Sequence, residues 1–257
     1  MCYDDNARPP HPPGADGTAH GEDIVLTAAD GNRFAAYIAH PDNAQGAQVL
    51  IYPDVRGLHG FYKALALRFA EVGITAMAID YFGRTAGLTA RDDSFEYMPH
   101  VQKMQLNSFF SDVNAALAQL RTGAGENQPI FTVGFCMGGS LSFFSATEAD
   151  FGFAGVIGFY AGMSRNMGGG KGSVLEEAKH VKYPLLGLFG GADQAIPVEQ
   201  VHAFDEGLDE AGVEHEIVIY SNAPHSFFDR KATYYAAESS DAWQRILSFI
   251  GSHAKQA

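Results

Sequence analysis

Cys136, Asp193 and His225 are the residues of this 257-residue chain whose types, order and settings point to one chemistry. Cys136 lies in the run I-F-T-V-G-F-C-M-G-G-S from Ile130 to Ser140. Strand-forming residues enter Gly134, and a helical run leaves after Gly138 and Gly139. A sharp strand-to-helix turn forces its central residue into a sparsely populated backbone region, and Gly134 and Gly138 give it room. The turn also sets the thiol at a helix N-terminus, where amides and the macrodipole lower its pKa and steady a developing oxyanion. Asp193 ends the run G-G-A-D after one strand-like segment, and His225 follows another in A-P-H-S-F. The expected roles are a thiol attacking an acyl carbon, an imidazole taking its proton and a carboxylate fixing the imidazole tautomer.

The elements that must position these residues read as repeated strand–loop–helix units. Short strands at Ile24–Thr27 and Phe34–Ala39 join through Asp30-Gly31, a hairpin signal. Buried strands are expected at Gln48–Tyr52 and Ile74–Ile79, and further strands at Ile130–Val133, Phe153–Phe159, Tyr183–Phe189 and, last, His215–Tyr220. Helices are expected over Phe61–Val72, Val101–Leu120, Ser140–Glu148, Val198–Ala211 and Tyr234–His253. This order predicts an α/β fold with a mostly parallel sheet and helices on both faces. Nucleophile, acid and base, in that chain order at strand ends, match the α/β-hydrolase arrangement. Residues 1–21 read as an irregular N-terminal arm and 22–257 as a single domain. Asp80–His100 is a polar excursion of the kind that carries substrate contacts. Tyr160–Gly172 is glycine-rich without G-x-x-x-x-G-K-[ST], so a flexible cover is expected there rather than a phosphate cradle.

Seventeen basic against thirty acidic residues give a net charge of −13, which argues against nucleic-acid or anionic-membrane partners. No run approaches the roughly 18 apolar residues of a membrane span, and no apolar signal segment opens the chain. The two cysteines, Cys2 and Cys136, do not suit a structural disulfide, so a reducing, cytoplasmic setting is expected. The histidines show no zinc spacing and no G-x-G-x-x-G opens a helix, so neither metal nor other cofactor is expected.

The motifs Gly134-Phe135-Cys136-Met137-Gly138-Gly139, Gly191-Ala192-Asp193 with Pro197, and Ala223-Pro224-His225-Ser226-Phe227 resemble the dienelactone hydrolase (carboxymethylenebutenolidase) family over residues 22–252. The resemblance implies a monomeric cytoplasmic α/β-hydrolase that opens an enol-lactone during aromatic-ring degradation, with a small lactone or ester as its partner. It maps the oxyanion hole to the backbone N–H groups of Val55 and Met137. It puts Asp54 in the place of an acidic residue, glutamate in the best-known members, that accompanies the resting cysteine. Two arginines clamp the substrate carboxylate in the family. Arg84 matches the first, but the second position holds Asp229, with Arg230 beside it. An aspartate there would repel a carboxylate, and losing one arginine fork would cost on the order of 1.5–3 kcal/mol of binding. Arg230 would serve only if the loop rearranged. Phe82, Tyr160, Phe227 and Phe228 are candidate walls for the acyl or lactone ring, ordinary core packing being the other reading open to them. A broader cysteine hydrolase acting on neutral esters or thioesters is the main rival, resting on Asp229. A non-catalytic ligand-binding scaffold is the remote one.

Overall fold

Four strands are almost wholly apolar or small residues, a pattern that suits strands covered on both faces. In the computed structural model, which describes residues 6–122 and 126–255, they form the middle of an eight-stranded sheet. The strands are β1 (Ala19–Thr27), β2 (Arg33–Pro41), β3 (Gln48–Tyr52), β4 (Thr75–Ile79), β5 (Ile130–Phe135), β6 (Gly155–Phe159), β7 (Leu185–Gly190) and β8 (His215–Tyr220). Every residue of β3, β5, β6 and β7 is buried. The spatial order is β1-β2-β4-β3-β5-β6-β7-β8. β1 and β2 run antiparallel to their neighbours and all other pairs are parallel. This is the mostly parallel α/β-hydrolase sheet that the sequence predicts.

The order reverses at β3. The chain passes from β3 to β4 on one side and returns to β5 on the other, and crevices for ligands open at the carboxyl ends of strands at such a point. Helices α1 (Gly60–Ala70) and α8 (Ala236–His253) cover one face, joined by an edge contact between Phe69 and Trp243 at 4.8 Å. The other face carries α4 (Leu106–Leu120), α5 (Met137–Ser145) and α7 (Val198–Glu210). There Tyr52 packs on Phe109 at 5.0 Å and bonds Ser145, while Phe143 stacks on Phe204 at 5.1 Å.

Several expectations change in detail. Residues 19–21, expected in the arm, belong to β1, where Ala19 pairs with Pro41. Residues 6–18 are irregular but docked: Trp243 Nε1 donates to the Pro10 carbonyl at 3.0 Å. Cys2 and part of the expected 123–129 loop lie outside the described residues. The helix expected over Val101–Leu120 is broken. The polar excursion ends in a short helix, α3 (Met98–Val101), and α4 starts only at Leu106 because Gln105 is extended (φ −130°, ψ 132°). The excursion opens with α2 (Gly83–Ala86), and α6 (Val174–Glu177) follows the glycine-rich loop. No helix among the described residues is long and apolar enough to cross a membrane.

Candidate active site

The buried β5 delivers the chain into Cys136, which adopts φ 56° and ψ −115° immediately before α5. That conformation is costly for a residue with a side chain, so its surroundings must hold it. Two close backbone approaches do so. A Cβ on Gly134 would stand 2.0 Å from the Gly138 carbonyl oxygen, and one on Gly138 would stand 2.1 Å from that of Tyr52. Cys136 N donates to Phe159 O at 3.0 Å, fixing the turn to β6. Among the described residues, the non-glycine residues at positive φ are Cys136, Tyr160 (35°) and Ser226 (63°). Tyr160 directly follows β6 and Ser226 follows His225. The strain is thus gathered at one end of the sheet.

Successive neighbouring strands β5, β6, β7 and β8 lead into Cys136, Tyr160, Asp193 and His225. His225 Nδ1 lies 2.6 Å from Asp193 Oδ2, so the ring N–H donates to the carboxylate and Nε2 is left as the basic nitrogen. Asp193 is almost fully buried, and its Oδ1 accepts from Ala195 N at 2.8 Å. The loops bearing the two residues are laced together, Gly191 N donating to Tyr220 O at 2.8 Å and Ala192 N to Ala223 O at 3.0 Å. Cys136, Asp193 and His225 all line one cavity of about 600 Å³.

Val55 and Met137 line the same cavity. Strand register puts them together. Tyr52 pairs with Gly134 across β3 and β5, and each of the two lies three residues further on. Met137 is the first residue of α5, where an amide has no carbonyl one turn back to bond. The neighbouring Asp54 is fully buried; its Oδ1 accepts from Arg56 N at 2.9 Å and lies 3.5 Å from His59 Nε2. Its charge, after burial itself, contributes to raising the Tyr62 phenol well above its ordinary range, so Tyr62 stays protonated. Tyr81 Oη donates to the Asp54 carbonyl and pins this loop.

The expected substrate contacts divide. Arg230 lines the cavity. Arg84 does not: its guanidinium donates to Asp30, to Asp112 Oδ1 at 2.7 Å and to the Ser108 carbonyl at 3.1 Å. The expected carboxylate contact from Arg84 is therefore corrected to a structural tie between α2 and α4. Phe82, Tyr160, Phe227 and Phe228 are buried and do not line the cavity, so they pack as core residues. Phe82 packs on Tyr81, Phe95 and His100, and Phe228 on Phe135 and Phe159. Asp229, expected beside the substrate, is turned inward and accepts from Tyr160 Oη at 2.8 Å and from Arg230 N.

Arg165 and Lys231 also line the cavity, and sequence reasoning missed both. Arg165 stands in Met163-Ser-Arg165-Asn-Met167, where buried methionines flank an exposed arginine within the glycine-rich loop. That alternation was the available signal. Gly162, Arg165 and Met167 of the loop line the cavity, and the loop is anchored beside it: Ser140 Oγ donates to Gly162 O at 2.8 Å and Leu175 N to Met163 O at 3.2 Å. Among the described residues no cluster of three His, Cys, Asp or Glu side chains is arranged to hold a metal ion.

Comparison with known proteins bears on the family and the fold. The profile of the Dienelactone hydrolase family matches residues 34–254. A carboxymethylenebutenolidase of Pseudomonas putida is 26% identical over 235 residues, covering 89% of this chain and 95% of its own. A Methylorubrum extorquens protein, provisionally named for the same activity, is 29% identical over 242 residues, 92% of this chain and 82% of its own. A crystal structure of a provisionally assigned dienelactone hydrolase from Klebsiella pneumoniae subsp. pneumoniae superimposes with a TM-score of 0.78 at 24% identity. The match covers 91% of this chain and 99% of that one, and at this identity it speaks for the fold.

Proposed function

Because this chain belongs to the dienelactone hydrolase family of carboxylic ester hydrolases acting on small lactones and esters, we propose that it works through a Cys136–His225–Asp193 triad. His225 Nε2 takes the thiol proton, and the thiolate forms an S–C bond to the substrate carbonyl. Negative charge collects on the former carbonyl oxygen, within reach of the Val55 and Met137 amides. The C–O bond to the ring oxygen or alcohol then breaks, the leaving oxygen takes the proton from His225, and a thioester remains on Cys136. His225 next deprotonates a water that attacks the thioester carbonyl; the S–C bond then breaks, the Cys136 sulfur takes the proton back from His225, and the acid departs as product. Asp193 keeps Nδ1 protonated throughout, so Nε2 is always the nitrogen that exchanges protons.

The observation that carries this reading is the 2.6 Å Asp193–His225 bond on the wall of the cavity into which the Cys136 turn opens. Its test is intact-mass spectrometry during turnover of a slow ester. An acyl adduct should appear on the wild type and be absent from Cys136→Ala, which should also lose steady-state activity. Full activity in Cys136→Ala would overturn the nucleophile assignment. The rival reading of an enzyme for neutral esters loses its main ground, since the Asp229 carboxylate is committed to Tyr160 outside the cavity lining.

A further inference from the structure

β3 and β4 run parallel side by side, so the segments that leave them meet at one end of the sheet. Tyr81 stands two residues past β4 and is buried, its ring edge-on to Phe82 at 4.8 Å and to Phe109 at 6.2 Å. Its hydroxyl has a single proton to give, shared between two carbonyl oxygens of the loop that follows β3: Pro53 at 2.7 Å and Asp54. The Asp54 carbonyl also accepts from Gly57 N at 3.1 Å, closing a tight turn over residues 54–57 with Gly57 at φ 77°. The Asp54 side chain tightens the same turn by accepting from Arg56 N at 2.9 Å. The far end of the loop is held from the same side, because Asp80 Oδ1 accepts from Leu58 N at 3.3 Å. Residues 80 and 81 therefore grip the loop at both ends, and Val55 lies between the two grips.

Which carbonyl is held decides what the grip does. A peptide bond is planar and trans, so the Asp54 C=O and the Val55 N–H belong to one rigid unit and point in opposite directions. Fixing that carbonyl toward Tyr81 fixes the Val55 amide as well, and Val55 lines the cavity that holds Cys136. Among the described residues the Val55 amide donates to no protein acceptor, while the carbonyl of its own peptide unit has two donors. That imbalance suits an amide kept for a charge that forms only during reaction. A peptide whose carbonyl is hydrogen-bonded is also polarised, which strengthens its N–H as a donor. With only the Gly57 bond left, the unit is free to tilt, and the N–H falls out of line with the oxygen it must meet. We infer that Tyr81 is a positioning residue for the oxyanion-holding amide of Val55, acting through the Asp54–Val55 peptide unit. This rests on the hydrolase reading above and adds to it a residue, outside the cavity lining, that sets the rate of both chemical steps.

The test follows the acyl-enzyme that the full-length protein forms with a slow 4-nitrophenyl ester labelled with heavy carbon at its carbonyl. The burst of 4-nitrophenol counts competent sites, so any loss from misfolding cancels. Per site, Tyr81→Phe should slow both the burst and the steady release about tenfold or more, because acylation and deacylation each pass through an oxyanion. KM should stay within about twofold of wild type, since both steps slow together. The infrared stretch of the labelled thioester carbonyl should lie below that of the same thioester in urea-unfolded enzyme, and in Tyr81→Phe it should move back toward that value. 3-Fluorotyrosine incorporated in place of Tyr81 donates more strongly and should move the stretch further down; it also keeps a readout if Tyr81→Phe does not fold. A stretch that moves in neither variant, whatever the rates, would show that Tyr81 only packs, which overturns the proposal and leaves the thiol mechanism standing. No acyl adduct on Cys136 of the wild type would instead remove the mechanism, and this proposal with it.

Discussion

The Tyr160 hydroxyl donates to Asp229 Oδ2 at 2.8 Å while the Tyr160 ring lies 4.8 Å from the imidazole of His225. One side chain thus draws a carboxylate away from the cavity and backs the proposed base. Tyr160→Phe keeps the ring and removes the donor. It leaves a buried acceptor short of a partner, which should cost roughly 1–3 kcal/mol of stability. Urea unfolding measures that loss. Turnover of an anionic ester should fall more than that of a neutral one, because Asp229 is no longer held inward. Equal losses on both esters would mean that Tyr160 does not control the charge of the cavity.

Gly138 offers a sharper test of the turn. A methyl group there would have to sit 2.1 Å from the Tyr52 carbonyl oxygen and 2.2 Å from that of Pro53, both backbone atoms at the end of β3. Neither can rotate aside, so β3 and α5 must separate. That separation would also part the Val55 and Met137 amides, whose spacing follows from the β3–β5 register. Gly138→Ala should therefore lose most activity and about 1–3 kcal/mol of stability. Wild-type kcat in a stable Gly138→Ala would show that the two amides do not act as a pair.

The sequence was most informative where a local backbone demand coincided with a chemical one. Gly134, Cys136 and Gly138 sit in a turn that only such residues can make, and β3 and β8 appear with the bounds their apolar runs suggest. Residues whose role depends on what happens to stand opposite were illegible. Arg84 has the type and neighbours of a substrate clamp, but Asp30 and Asp112, far off in sequence, claim its guanidinium. Asp229 looked like a repulsive charge because nothing near it in sequence tells that Tyr160 Oη waits behind β6. The break before α4 was hidden for a related reason. Its apolar spacing continues through residues 101–106, and the extended Gln105 is fitted to the facing loop, where its Oε1 would stand 2.4 Å from a Cβ on Gly168.

Arg84→Met tests that correction directly. Asp112 is buried and burial already raises its carboxyl above the ordinary range, against the pull of Asn32 and Arg84. Removing the guanidinium takes away a charge-assisted bond, so about 1.5–3 kcal/mol of stability should go. kcat/KM for anionic esters should stay at the wild-type value, because Arg84 does not line the cavity. A rise in KM confined to anionic esters would return Arg84 to the substrate site.

Arg91 and Asp80 pair at 2.9 Å with both side chains almost wholly buried. Asp80 also accepts from Leu58 N and Phe82 N, at 3.3 Å each, and so ties the loop that carries Val55 to the segment after β4. Burial raises the Asp80 carboxyl above its ordinary value of 3.8, while the charge and hydrogen bonds of Arg91 oppose that rise. A carboxyl raised in the folded state ionises more readily when the chain is unfolded. Its contribution to stability is therefore full below its unfolded value and declines as pH climbs through the folded one. Arg91→Leu deletes the opposing cation, pushes Asp80 higher and widens that window. The variant should be about 3–5 kcal/mol less stable than wild type near neutral pH. The deficit should shrink at a second, more acidic pH, where Asp80 takes up a proton. Urea midpoints for both proteins at the two pH values read the difference directly, and a deficit that does not change with pH would mean that Arg91 supports the fold through packing rather than by neutralising Asp80.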